Sequence, residues 1–145
     1  MPTQRVDLAQ VARDVEIVVR AGDAHHPDAQ MRLQQAYARF DMRNYPDAPG
    51  PSVLFRPGAT VGELAQEGNF PHQKLGVATI GSLLDALAAE GYELVLFVTP
   101  TQQLPDHHAL AVAHAGQALL RLPDVAAQAI LSVLRVVDNP YRSRP

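Results

Sequence analysis

Residues 78–99, ATIGSLLDALAAEGYELVLFVT, decide the fold class, because a capped helix runs through one glycine into an uninterrupted apolar strand. Thr79 can accept a hydrogen bond from the unpaired N–H groups of a first helical turn. Ile80, Leu83, Leu84 and Leu87 then recur at i, i+3, i+4 and i+7, which turns one apolar stripe toward a core. Gly91 stands where a helix end commonly takes the left-handed conformation. From Leu94 to Val98 every residue is apolar, the pattern of a strand buried on both faces.

Toward the N-terminus, Asp7 with Gln10 three residues on predicts a first helix. Leu8, Val11, Ala12, Val15, Val18 and Val19 lie along one side of it until Gly22. The β-branched run of residues 16–19 also suits a strand in its second half. Pro27 opens a second helical pattern with Leu33, Ala36, Tyr37 and Phe40 at helical spacing. Residues 44–52, NYPDAPGPS, cannot continue a helix and read as an internal linker. Val53–Arg56 reads as a short strand, and Thr60 with Glu63 as a capping box opening a short helix through Ala65. The segments 58–70 and 77–92 echo one another in cap, glycine and apolar placement, a convergence of helix-start chemistry.

Beyond Pro100, residues 106–122 fit either an alanine-rich helix capped by Asp106 or a hairpin turning at Ala115-Gly116. The hairpin is favoured because the preceding strand offers it an edge. Asp124 caps a last helix with Ala126, Ala129, Ile130, Val133, Leu134 and Val137 on one stripe, ending at Asn139-Pro140. The tail YRSRP reads as mobile. The expected architecture is α+β: an N-terminal helix pair, then a small sheet packed with helices, in one domain spanning 1–145 with its proline-rich linker at 44–52.

The composition bounds the chemistry. With 145 residues, 47% of them apolar, the chain can bury one ordinary core, and no apolar run approaches the ~18 residues of a membrane span. No cysteine is present, which excludes disulfides, thiolate nucleophiles and sulfur-ligated metals. The N-terminal MPTQRVDLAQ lacks the pattern of a secretory signal, so a cytoplasmic protein is expected. Net charge is −3, yet residues 59–98 carry Lys74 alone against Glu63, Glu67, Asp85, Glu90 and Glu93. That stretch has the wrong sign for gripping phosphates.

Among six histidines, His107, His108 and His114 beside Asp106 form the natural centre of a metal site. Geometry works against it: two turns of helix separate His107 from His114 by about 10.5 Å, and a strand separates His108 from His114 by about 20 Å. No metal and no cofactor are expected. Ser52, Ser82, Ser132 and Ser143 lack the G-x-S-x-G context of a nucleophile elbow, and no glycine-rich phosphate loop is present. Glu63 and Glu67, at i and i+4, could pair for acid–base work but fit a solvated helix face better. Arg13, Arg20, Arg32, Arg39 and Arg43 could form a polar rim or a basic patch, or simply solvate exposed helix faces.

Residues 60–98, TVGELAQEGNF through SLLDALAAEGYELVLFV, resemble the end of a lambda-repressor-like helix-turn-helix antitoxin. The resemblance implies a DNA-binding regulator whose recognition helix falls at Phe70 to Ala78, a segment that offers Gln73 and Lys74 and no arginine. VLFR at 53–56, followed later by LFVTPTQQLPD, resembles small ADP-ribosyltransferase-like bacterial toxins. That resemblance implies that Arg56 contacts NAD, although no glutamate follows Glu93 to serve as the late catalytic acid of that fold. The reading with fewest assumptions is a non-enzymatic module that recognises another protein, of immunity or regulatory type. Arg56 is then the one catalytic candidate, nucleic acid the alternative partner, and no membrane is involved.

Overall fold

The computed structural model describes residues 2–141, and its fold is α+β around one antiparallel sheet. In chain order the elements are β1 (Glu16–Val19), α1 (Ala29–Ala38), β2 (Ser52–Leu54), α2 (Val61–Gly68), β3 (Lys74–Thr79), α3 (Ile80–Ala89), β4 (Glu93–Val98), β5 (His107–His114), β6 (Gln117–Ala118), α4 (Asp124–Val133) and β7 (Arg135–Asp138). The spatial order is β4-β5-β2-β1-β3-β7, with β6 paired to the far end of β5. None of the described helices is long and apolar enough to cross a membrane.

The expected N-terminal helix pair is not formed. Asp7 does cap, its Oδ1 accepting from Ala9 N–H at 3.2 Å, but only a single 3₁₀ turn, Leu8–Gln10, follows. Residues 16–19 then run as β1 between β2 and β3. The cause is burial: Ile17, Val18 and Val19 are all fully enclosed. A helix stripe leaves its intervening residues outside, whereas a central strand encloses three in a row. Alternate residues serve two cores. Ile17 and Val19 join Leu33 and Tyr37 of α1, Ile80, Leu83 and Leu87 of α3, and Ile130 of α4. Val18 joins Leu64 and Ala65 of α2 with Leu54, Phe70, Leu75 and Val77.

The opening stretch behaves as its sequence dictates. Thr79 Oγ1 accepts from Ser82 N–H at 3.1 Å, and Gly91 takes φ +81° just past the end of α3. Leu94 to Phe97 are buried. Although β4 ends the path of long strands, its outer edge is paired: Val6 N–H donates to Leu96 O and Val98 N–H to Gln4 O, both at 2.8 Å. The Arg5 guanidinium lies 5.3 Å over the Phe97 ring. At Thr60 the capping box is complete in both directions, 3.1 and 3.2 Å, and α2 continues past Ala65 to Gly68. Residues 107–118 form the hairpin, turning on Ala115 and Gly116, both at positive φ.

Two further readings are corrected. The last helix ends at Val133, and Val136 and Val137 enter β7 opposite Gly76 and Leu75, because β-branched side chains suit a sheet edge better than another helical turn. Residues 74–78, more than half of the segment expected to form a recognition helix, lie in β3 instead. The linker 44–52 is built into the fold, with Ala48–Pro51 buried and Ser52 the first residue of β2. Of the tail, Tyr141 is exposed and residues 142–145 lie outside the described residues.

Candidate functional site

The proline-rich stretch sets the site's position. Ala48 N–H donates to Tyr45 O, Gly50 N–H to Tyr37 O and Leu110 N–H to Pro51 O, each at 3.1 Å. Gly50, at φ +130°, lies so close to Leu110 that a Cβ would fall 2.1 Å from its carbonyl oxygen. Any side chain there would part the backbones and shift β2. Ser52 is thereby fixed opposite Ala109, with Leu54 opposite His107. Paired residues point to the same face and alternate residues along a strand do too, so Ser52 and His107 emerge side by side.

They bond each other. His107 Nε2 lies 2.9 Å from Ser52 Oγ, and His107 Nδ1 lies 2.9 Å from both the carbonyl oxygen and the hydroxyl of Thr99. A carbonyl can only accept, so Nδ1 carries the hydrogen in the neutral ring, Nε2 offers its lone pair, and the Ser52 hydroxyl donates. Burial pushes His107 below the usual imidazole range. The Thr99 bond opposes that shift, and the charge of Arg20 reinforces it. The neutral tautomer is therefore the form present at neutral pH.

Ser52 and His107 open onto a cleft of about 830 Å³ beside α1. Arg32, Gln35, Ala36 and Arg39 present one side of that helix to it, at i, i+3, i+4 and i+7. Arg20 reaches it from the end of β1, where its N–H donates to Ser52 O at 3.1 Å. Lys74 is also present, and so are Asp23 and Asp41, giving four cationic against two anionic side chains. Lys74 is paired with Asp138, and Asp41 accepts from the Asn44 side chain at 2.9 Å. Among the described residues Arg20, Arg32 and Arg39 have no carboxylate within ion-pair distance. His72, at the rim, is held below its usual pKa by burial first, then by Arg20 and Arg32. Phe40 and Tyr45 supply ring surface.

Other candidates lie elsewhere. Arg56 is outside the cleft, 2.5 Å from Asp106, 3.1 Å from Glu67 and 3.8 Å from Glu63. Three carboxylates compete for its charge, so it is poorly placed to hold an anionic dinucleotide. Glu63 serves the Thr60 capping box, and burial followed by Asp106 pushes the Glu67 carboxyl up. His108, next to His107 on β5 and so on the opposite face, bonds Asp106 O at 2.7 Å and meets the Phe55 ring edge-on. His114 is exposed at the far end of β5, near Gly91 O. The structure therefore separates His107, His108 and His114, and no group of three or more histidine or carboxylate side chains among the described residues could hold a metal ion. Arg13 pairs with Asp85.

One signal for the cleft is present in the sequence. The i, i+7 spacing of Arg32 and Arg39 puts both on one helical face. Ser52 sits at a strand start, outside any elbow motif, and only the β2–β5 register supplies its histidine. Comparison of this chain with family models, with curated proteins and with solved structures finds no match.

Proposed function

We propose that this chain binds a small phosphorylated molecule in the cleft beside α1, with Arg20, Arg32 and Arg39 holding the anionic group. The observation that carries this reading is the convergence of three arginines on one cleft with no carboxylate partner among the described residues. Arginines whose forks are not spent on protein carboxylates are the groups best suited to grip phosphate oxygens in pairs. The cleft volume, about 830 Å³, falls among sites that enclose small ligands. The Phe40 and Tyr45 rings offer apolar contact to the organic part, and Asp23 and Gln35 can hydrogen-bond its hydroxyls.

Isothermal titration of the full chain with adenosine monophosphate, inorganic phosphate, adenosine and a duplex oligonucleotide tests this. The monophosphate is expected to bind more tightly than adenosine, and Arg32→Ala with Arg39→Ala to weaken it at least tenfold. Equal affinity for adenosine and its monophosphate would end the reading. Binding confined to the duplex would favour the DNA-binding alternative instead.

A further inference from the structure

The hydrogen bond between Ser52 and His107 is not needed to hold β2 to β5, because the backbone ladder from Ser52–Ala109 to Leu54–His107 already joins them. What the side chains add is an arrangement with chemical consequences. A hydroxyl donates to an imidazole nitrogen at 2.9 Å, and the other nitrogen is locked at 2.9 Å onto a main-chain carbonyl. This is the geometry of an activated nucleophile: hydroxyl, base, and a third group that fixes the base's tautomer and orientation. Both residues face the cleft rather than the core. Arg20 stands on the same face of the sheet as Ser52, bonded to it through the backbone, and its charge acts on His107.

We propose that Ser52 is a nucleophile and His107 its general base, for hydrolysis of a small carboxylic ester entering this cleft. That the ester also carries a phosphate held by Arg32 and Arg39 rests on the binding reading above. In the first step Ser52 Oγ attacks the ester carbonyl carbon, its proton passes to His107 Nε2, and negative charge develops on the carbonyl oxygen within the positive field of Arg20, whose guanidinium lies 5.9 Å over the Phe70 ring and whose charge acts on His107. The C–O bond to the alcohol breaks, the alcohol leaves with the proton from His107, and an acyl-Ser52 remains. Water then gives a proton to His107 and attacks the acyl carbon. The acid departs, Ser52 regains its hydrogen, and the balance is ester plus water to acid plus alcohol. The Thr99 carbonyl keeps the imidazole oriented throughout, as the carboxylate does in a three-residue triad.

A fluorophosphonate probe, which phosphonylates activated serines, reads this without knowledge of the substrate. Labelling of the full wild-type chain should place the adduct on Ser52 by peptide mass spectrometry. It should be absent in Ser52→Ala and slowed about 100-fold in His107→Gln. The wild-type rate should rise with pH through a midpoint below about 6.5, as His107 sheds its proton. No adduct on Ser52, an adduct at Ser82, Ser132 or Ser143 instead, or an unchanged rate in His107→Gln variants that melt at the wild-type temperature would each overturn the assignment. An adduct on Ser52 in a chain that binds adenosine and its monophosphate equally would overturn the binding reading alone, and monophosphate affinity with no adduct on Ser52 would overturn this one alone, so the two readings fail separately.

Discussion

The α3–β4 unit and the cleft around Ser52 are built by opposite means. In the first, neighbouring residues decide everything: Thr79 caps, four leucine and isoleucine positions make the stripe, Gly91 turns the chain and β4 follows at once. In the second, Arg20, Arg39, Ser52, Thr99 and His107 come from five separate segments and meet only because β1, β2 and β5 pair in one register. The first unit's order is local, and the second's chemistry is assembled at long range. Substitutions should therefore act very differently in the two regions.

The largest effect is expected from Val95→Asp. Val95 is 6% exposed and lies opposite Ala111, and an unpaired charge there would cost a large part of the ~5–15 kcal/mol that holds a typical domain. Loss of the cooperative thermal transition by circular dichroism is the expected result, and a soluble, cooperatively melting variant would show that β4 is not core. Leu83→Ala, at a fully buried position of α3, should lower stability in urea by about 2–5 kcal/mol. Thr79→Ala removes the cap and should cost about 1 kcal/mol on the same measurement.

On the cleft side a gentler dependence on pH is expected. Burial lowers the folded-state pKa of His72 and His107 in the cleft, and of His108 on the other face of β5, so each binds protons more readily once unfolded. Stability should therefore be complete above the unfolded value of about 6.5 and decline as pH falls below it, until the folded-state values are passed. Melting temperatures flat from pH 8 to 5 would contradict this. Smallest of all, Arg32→Ala with Arg39→Ala should change stability by no more than about 0.5 kcal/mol, since both side chains are exposed and unpaired with carboxylates among the described residues.

The same contrast explains what was legible in the sequence. The caps at Thr60 and Thr79 and the turn at Gly91 could be read directly, because each is a bargain struck within a few residues, whereas residues 106–122 fitted helix and hairpin alike and only the edge offered by the preceding strand favoured the hairpin. Strands β1, β3 and β7 could not, since Ile17–Val19 and Val136–Val137 fit helical spacing as well as strand, and only burial between neighbouring strands decides. For the cleft, the stripe of Arg32 and Arg39 was visible as helical spacing without its purpose. The partnership of Ser52 with His107 depends on a pairing across 55 positions that no local pattern announces.

The hydrogen bonds from Gln4 and Val6 to β4 also govern how copies of this chain could meet. They sheathe one border of the sheet, while at the other border β7 has no strand beyond it among the described residues. Along the path of long strands the bare border is that of β7, and a twin joined there strand to strand would leave the sheathed border of β4 outermost at both ends. Strand-to-strand growth would thus stop at two copies, and stripping away residues 1–7 would remove that stop and turn a self-limiting particle into a potential fibre.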